Sequence, residues 1–147
     1  MRIRERLGEL EQRQARLDDM RLTLGPRGQS FDQCGHGSGN GDASGATLVL
    51  VQVETELERD RAKVNAEVST ALHVLYGKGG RGGLAKAKST ASADCICGYY
   101  LQLMTWREVS DELVKPDSKD GPQWCRRRAH RGLEYIDRHG ANRLIYG

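Results

Sequence analysis

The chain has 147 residues, of which 29% are charged and only 5% are aromatic. This composition supports one or two small helical domains and excludes the large apolar core of a typical enzyme. The formal net charge of +3 is mild, so affinity for nucleic acid would have to come from local basic patches. No apolar run approaches the roughly 18 residues that span a bilayer, and the charged N-terminus does not resemble a signal peptide, so we expect a cytoplasmic protein.

Apolar residues near the N-terminus recur at alternating spacings of four and three, at Ile3, Leu7, Leu10, Leu17 and Leu24. This heptad pattern predicts a helix with one apolar seam, in which Gln14 and Arg21 are polar interruptions. Gly25-Pro26 is expected to stop the helix. The Gly- and Ser-rich segment 25–43 has no apolar pattern, and it predicts a mobile loop.

A second apolar stripe predicts a long helix from about Ala43 to Tyr76. Its members are Leu50, Val53, Leu57, Val64, Val68, Ala71, Leu72 and Leu75. Because each stripe needs a partner, the two helices are expected to form an antiparallel helical hairpin or coiled coil over residues 1–76. The polar seam residues would alternatively set the register of a homo-oligomer, and the sequence leaves both arrangements open.

Residues 77–90 begin with Gly77-Lys78-Gly79-Gly80-Arg81-Gly82-Gly83, a density of glycine that predicts a flexible hinge. A phosphate-binding P-loop is not indicated, since no strand precedes the segment and the Gly-Lys-Ser/Thr ending is missing. The basic residues of the segment have no acidic neighbour before Asp94; they are Lys78, Arg81, Lys86 and Lys88. The hinge would therefore either contact a DNA backbone or serve only as a soluble linker.

A short helix is predicted to begin with a capping box, in which Thr105 and Glu108 exchange hydrogen bonds between side chain and backbone. The apolar residues of this helix share one face: Trp106, Val109 and Leu113. Pro116 disfavours helical geometry at the residue before it. The helix should therefore end near Leu113 or Val114, and a polar turn should follow.

A second helix is predicted from Pro122, where the missing N–H costs nothing, with Gly121 or Asp120 as its cap. Its buried face is expected to contain Cys125, Ala129, Gly132 and Ile136, with Leu133 at the edge. The segment 122–131 carries four arginines and no acid, and the positive end of the helix dipole adds to its attraction for anionic oxygens. Arginine-rich faces are usually only solvated surface, but the capped helix that precedes this one favours DNA binding.

Residues 91–140 are therefore predicted to form a helix-turn-helix headpiece, with 141–147 as a tail, in an all-α protein. The residues expected at DNA are Gln123, Arg126, Arg127, His130, Arg131, Arg138 and Lys119. The residues expected to pack the headpiece are Tyr100, Trp106, Val109, Leu113, Cys125, Ala129, Leu133 and Ile136. In this arrangement the second helix lies in the major groove, where its first arginines meet base edges while Arg131 and Arg138 hold phosphates.

Three segments resemble the C-terminal region-four domain of sigma factors: Tyr100-Leu101, Thr105-Trp106-Arg107-Glu108-Val109-Ser110, and Gly132-Leu133-Glu134-Tyr135-Ile136. The resemblance is closest to small phage regulators of late transcription, of the ArpU and RinA type, and covers about the last third of the chain. Carried over by position, it puts Gln123, Arg126 and Arg127 where such helices meet bases and phosphates. The turn between Leu113 and Pro122 is several residues longer than the compact turn of that group.

The resemblance implies a sequence-specific regulator of transcription that binds double-stranded DNA. It also implies a phage or prophage gene product that acts on late genes in a bacterial host, with host RNA polymerase as a further partner. Two other functions stay open. A small DNA-packaging subunit of the terminase type also joins a helix-turn-helix to an oligomerisation region, and would form a closed ring. A protein-binding module would instead dock its arginines on RNA polymerase.

No enzyme, cofactor or metal site is expected. The pairs Cys34-x-His36 and Cys95-x-Cys97 are spaced more tightly than the ligands of ordinary structural zinc sites. Cys95 and Cys97 would also point apart on a helix, so we expect them to pack as small side chains. The histidines at 36, 73, 130 and 139 have no nucleophile or carboxylate partner at motif spacing, which leaves no candidate for catalysis.

Overall fold

The described part of the chain is built from helices. The structure is a computed structural model, and it describes residues 2–30 and 40–146, with side chains for 2–23 and 45–146. The helices are α1 (Ile3–Ser30), α2 (Asn40–Tyr76), α3 (Gly83–Ala87), α4 (Thr90–Ile96), α5 (Trp106–Leu113), α6 (Gly121–His139) and α7 (Ala141–Tyr146). A π-helical turn, Cys97–Leu101, continues α4. No strand occurs among these residues, which confirms the predicted all-α class.

None of the helices in the described ranges is both long enough and apolar enough to cross a membrane.

The chain divides by its internal contacts into two compact units. The larger unit comprises Met1–Leu7 and Val64–Gly147, and the smaller unit comprises Gly8–Lys63. This division differs from the predicted boundaries at residues 76 and 90. The reason is that the end of α2 and the segment after it contribute to the core of the larger unit, through Leu75 and Leu84.

The smaller unit is held by buried leucines and by ion pairs between α1 and α2. Leu10, Leu17 and Leu57 are its buried side chains. Arg13 pairs with Asp60 at 2.7 Å and Arg21 with Glu54 at 2.6 Å, so later residues of α1 meet earlier residues of α2. Because exposed ion pairs contribute at most about 1 kcal/mol each, the leucines dominate its stability.

The two polar seam residues of α1 form hydrogen bonds within the chain. The Arg21 guanidinium donates to Glu54, and the Gln14 side-chain oxygen accepts from Arg61 at 2.6 Å. Gln14 also donates to Asp18 at 2.9 Å. These hydrogen bonds satisfy both side chains without a second copy of the protein.

Both helices extend further than the sequence predicted. Helix α1 continues past Gly25-Pro26 to Ser30, and α2 begins at Asn40 rather than Ala43. The prediction that the first helix stops at Gly25-Pro26 is therefore wrong. Proline inside a helix lowers the stability of the helix by about 3 kcal/mol relative to alanine. It removes one backbone hydrogen bond, however, and the remaining ones can continue the helix. The predicted loop 25–43 also covers residues 31–39, including Cys34 and His36, which lie outside the described residues.

The segment predicted as a flexible hinge, residues 77–90, is a structured turn followed by α3. Three glycines have positive φ: Gly77 (77°), Gly80 (71°) and Gly83 (63°). A Cβ on Gly83 would lie 2.6 Å from the carbonyl oxygen of Val74, so the backbone passes too close to the end of α2 for any other residue. Leu84 follows with no exposed surface and anchors α3 in the core.

Helix α6 is the central element of the larger unit, because it contacts α4, α5 and α7. Small residues permit its close approach to α4. A Cβ on Gly132 would lie 2.8 Å from Cδ1 of Ile96 and 3.1 Å from Cδ2 of Leu84. The predicted tail, residues 141–147, contains α7, whose Leu144 is buried.

Substitution of glycines within the turn distinguishes a built turn from a flexible linker. We expect Gly79→Ala to leave the free energy of unfolding nearly unchanged, because Gly79 has open space around its Cα and no positive φ. Gly80→Ala should cost about 1 kcal/mol for its left-handed backbone alone. Gly83→Ala should cost at least about 2 kcal/mol, because it adds a collision with the backbone. Urea unfolding measures all three, and equal small effects would contradict the built turn.

Candidate nucleic-acid interface

The start of α5 is fixed by the predicted capping box, which the structure confirms. The Glu108 carboxylate accepts from the N–H of Thr105 at 2.7 Å, and the Thr105 hydroxyl accepts from the N–H of Glu108 at 3.3 Å. The hydrogen bond from the Thr105 N–H is the main cause of a lowered pKa at Glu108, and the charge of Arg4 lowers it further. Helix α5 ends at Leu113 with Val114 as its C-cap, as predicted.

Three stacked side chains connect α1, the π-helical turn and α5 within the larger unit. The Trp106 ring stacks on Tyr99 at 3.9 Å with an interplanar angle of 4°. The Arg4 guanidinium lies 4.0 Å from the Tyr99 ring centroid. Because Arg4 and Trp106 are equally close to the same ring, they must occupy its two opposite faces. Cation–π and aromatic contacts of this kind each contribute about 0.5–1.5 kcal/mol.

Arg4 also caps the backbone at the end of this turn. Its Nη1 donates to the carbonyl oxygens of Tyr99 and Met104, the latter at 3.0 Å. Carbonyl groups at the end of a helix have no partner within the helix, and a guanidinium group supplies the missing donors. Arg4 thereby fixes the backbone on either side of the connection from α4 to α5.

The lengthened connection between α5 and α6, residues 114–120, is ordered by local hydrogen bonds. The N–H of Asp117 donates to the Asp111 carboxylate at 3.2 Å, and the N–H of Gly121 donates to the Ser118 hydroxyl at 3.1 Å. Gly121 is buried against α5, where a Cβ would lie 1.9 Å from Oγ of Ser110. Helix α6 therefore begins in direct contact with α5 despite the longer turn.

The amino-terminal half of α6 borders an open cleft of about 730 Å³. Tyr99, Tyr100 and Trp106 line one wall. The α6 residues that line it are Gln123, Arg126, Arg127, Ala129, His130 and Leu133. We call this concavity the aromatic–arginine cleft. None of its lining residues is acidic, and the first carboxylate of α6 is that of Glu134.

Four of the seven residues predicted to contact DNA are brought together here: Gln123, Arg126, Arg127 and His130, all exposed. The other three do not line the cleft. Arg131 and Arg138 are exposed elsewhere on α6, and Lys119 is exposed in the preceding turn. His130 lies 3.4 Å from the Glu134 carboxylate, so this carboxylate is next to the row of basic residues.

The residues predicted to pack the headpiece differ in burial. Val109, Cys125 and Ala129 are almost fully buried, and four others pack partly buried against the core: Tyr100, Trp106, Leu133 and Ile136. Leu113 is different, because it is 39% exposed. The prediction that Leu113 lies in the core is wrong. It is the last residue of α5, and the connection that follows it is largely exposed to solvent.

Sequence patterns did not reveal several contributors to this site. Arg4 lies about a hundred residues before the side chains it contacts, and heptad position alone gives it no special role. The stacking of Tyr99 on Trp106 depends on the π-helical turn, which has no clear sequence signal. Arg128 lies 4.9 Å from the ring of Trp124, so one of the four arginines is engaged by its own helix. An i,i+4 Trp–Arg spacing was the available signal for that contact.

The cysteines of the larger unit pack as small side chains. Cys95 and Cys125 are buried, and Cys97 is partly buried. Burial, reinforced by Cys125, raises the pKa of Cys95 to about 12, so its thiol stays protonated and a poor nucleophile at neutral pH. In the described ranges, no three His, Cys, Asp or Glu side chains are grouped so as to hold a metal ion.

Comparisons of this chain with protein-family models, with curated proteins and with solved structures find no match. The family resemblance stays a prediction.

The capping box should make stability depend on pH through Glu108. Because the pKa of this carboxyl is lowered in the folded protein, its ionised form contributes stability above its unfolded pKa of about 4.3. That contribution is lost as the pH falls through the lowered folded value. We therefore expect the difference in unfolding free energy between wild type and Glu108→Gln to shrink between about pH 5 and pH 3. Urea unfolding at each pH measures this difference. If the difference in unfolding free energy stayed constant over this pH range, the proposed contribution of the capping box would be contradicted.

Proposed function

We propose that the protein binds duplex DNA through the amino-terminal half of α6 and regulates transcription. The observation that carries the proposal is the exposed row of Gln123, Arg126, Arg127 and His130 on a helix whose opposite face is buried against α4 and α5. A helix that is fixed on one side and basic on the other can present its side chains to a nucleic acid without reorganising.

The dimensions of α6 suit the major groove. Its 19 residues give a length of about 28 Å, and an α-helix with side chains is about 10–12 Å across. The major groove of B-DNA is about 12 Å wide. In such a position, Arg126 and Arg127 can form paired hydrogen bonds with guanine or contact phosphate, and Gln123 can pair with adenine. The tyrosines across the aromatic–arginine cleft would meet the sugar–phosphate strand that borders the groove.

The distribution of charge indicates which half of α6 faces DNA. Residues 121–133 include four arginines, one histidine and no acid, whereas Glu134 and Asp137 follow within the next turn. At helical spacing Glu134 and Asp137 lie on the same face as Arg127 and His130, so this face attracts phosphates only along the first half of the helix, where the dipole also favours anions. Since the net charge of the chain is only +3, this local concentration supplies the affinity.

We interpret α5 and α6 as the two helices of a helix-turn-helix, supported by α4, and the paired parts of α1 and α2 as an antiparallel helical hairpin. The support is the capping box at Thr105, the contact of Gly121 with Ser110, and the pairing order in the smaller unit. The resemblance to region four of sigma factors and to ArpU- and RinA-type regulators extends the proposal to late genes of a phage or prophage, read in the cytoplasm of a bacterial host.

Self-association through the smaller unit is the second part of the proposal. Four of its apolar side chains are more than half exposed: Leu22 (72%), Leu48 (68%), Val49 (52%) and Val51 (51%). Single exposed leucines are ordinary, but three such residues within four positions of α2 form an apolar strip. A dimer through this strip would present two α6 helices to the two halves of a palindromic site.

Replacement of the strip by charge tests self-association. We expect wild-type protein to sediment as a dimer at micromolar concentration, and Leu48→Glu/Val51→Glu to sediment as a monomer with unchanged helix content, because both side chains are exposed in the single chain. Monomeric wild type would contradict the proposed interface. A closed ring of many subunits would favour a DNA-packaging subunit instead.

DNA binding is tested with duplexes selected by the protein from a random pool. Fluorescence anisotropy should show tight binding to a selected duplex and weaker binding to its scrambled version. Arg126→Ala/Arg127→Ala should lose about 2 kcal/mol or more of binding free energy and most of the sequence preference. The matched control removes two exposed cations from the smaller unit, Arg59→Ala/Lys63→Ala.

The control should bind as the wild type does, because its charges lie outside the proposed interface. Absence of binding at low salt, or equal losses in both double variants, would contradict the proposed role of α6.

A further inference from the structure

A second concave surface lies at the other end of α6. It is a cleft of about 730 Å³ between the glycine turn, α3, the end of α6 and α7. Every charged side chain that lines it is basic: Lys78, Arg81, Lys86 and Arg143, together with His139. We call it the basic cleft. No carboxylate lines it, although the chain as a whole contains 20 acidic residues.

The basic cleft carries more net positive charge than the chain as a whole. Its two lysines and two arginines carry four positive charges, whereas the formal net charge of the chain is +3. Like charges along one concave wall repel each other, and the shape of the wall focuses their field. Because no acidic side chain in the cleft offsets this repulsion, the surface is suited to a multiply charged anion.

The walls of the basic cleft are held in place before any ligand arrives. The turn is fixed by the backbone contact at Gly83, and buried Leu84 and Leu144 anchor α3 and α7. His139 stacks on Tyr135 at 4.0 Å and its Nδ1 lies 3.0 Å from the Tyr135 carbonyl oxygen. A pre-formed surface loses less conformational entropy when it binds.

Two aromatic rings that line the basic cleft also position lysines: Tyr146 holds Lys78, which lines the cleft, and Tyr135 holds Lys88, which does not. The Lys78 ammonium group lies 4.5 Å from the Tyr146 ring centroid, and that of Lys88 lies 5.4 Å from the Tyr135 ring centroid. Both lysines remain exposed. Cation–π contact orients an ammonium group while leaving its N–H donors free for an oxygen acceptor. Phosphate oxygens, which spread their charge over several acceptors, match such a set of donors.

Position along α6 indicates which phosphate-bearing ligand fits. Between Arg127 and His139 the helix advances twelve residues, or about 18 Å. A straight helix whose first half follows the major groove cannot also follow the curve of the groove around the duplex over this further distance, so the end of α6 lies outside the groove. It would then be next to a phosphate strand. We propose that the basic cleft binds phosphates of the DNA backbone flanking the sequence read by α6, an inference that rests on the proposed function.

The salt dependence of binding tests this role. The variant is Lys86→Gln/Arg143→Gln, which removes two exposed charges from α3 and α7. The slope of log affinity against log salt should become less steep by about 2, one for each lost phosphate contact. Affinity at about 100 mM salt should fall at least tenfold, while the ratio of selected to scrambled duplex stays unchanged. Arg59→Gln/Lys63→Gln, with the same loss of charge, should retain the wild-type slope.

A second measurement does not depend on any variant. Wild-type protein should bind a selected duplex with several flanking base pairs more tightly than one trimmed to the selected sequence, with a steeper salt slope. Suppose that Lys86→Gln/Arg143→Gln keeps the wild-type slope of log affinity against log salt, while Arg126→Ala/Arg127→Ala loses binding. This result would overturn the role of the basic cleft and leave the proposed function standing. Failure of the wild type to bind any duplex would overturn both.

Inorganic tripolyphosphate separates a DNA-backbone site from a site for small polyphosphates. One outcome would contradict the backbone proposal and assign the cleft to a small anion. In that outcome the anion raises the melting temperature of wild type but not of Lys86→Gln/Arg143→Gln, and the variant binds DNA with the wild-type salt slope.

Discussion

The close approach of α6 to α4 is the constraint on which the geometry of the larger unit depends. Cys125, Ala129 and Gly132 are small, buried, and spaced by four and three residues, and a methyl group on Gly132 would lie 2.8 Å from Ile96. Close packing of this kind leaves little freedom for the helix to rotate. Since one face is buried in this way, Gln123, Arg126 and Arg127 must project from the other. The orientation of the basic row is therefore a consequence of the core.

Two further constraints set where α6 begins and what lies beside it. The stack of Arg4, Tyr99 and Trp106 fixes the start of α5 relative to the π-helical turn, and the contact of Gly121 with Ser110 fixes the start of α6 relative to α5. The aromatic–arginine cleft lies beside the first half of α6, and the basic cleft lies at its end. In our proposal one rigid helix reads base edges, while both clefts meet the phosphates on either side.

Local patterns predicted local structure well. The capping box needs only Thr105 and Glu108 three residues apart, and the buried face of α6 follows from helical spacing of Cys125 and Ala129. Features that depend on distant contacts were not predictable. Glycine density is common to flexible linkers and to tight turns, and here the approach of Gly83 to Val74 decides between them. Likewise, nothing in the heptad pattern of α1 indicates that Arg4 contacts Tyr99, and the apolar stripe of α5 does not indicate that Leu113 is 39% exposed.

In the proposed complex, α6 enters the major groove of DNA. Chemical methylation of a selected duplex, with and without bound protein, tests it most directly, because dimethyl sulfate modifies N7 of guanine in the major groove and N3 of adenine in the minor groove. We expect bound protein to protect one or more guanine N7 atoms within the selected sequence, and the Arg126→Ala/Arg127→Ala variant to lose that protection. Protection confined to adenine N3, or guanine protection that persists in the variant, would contradict this mode of binding.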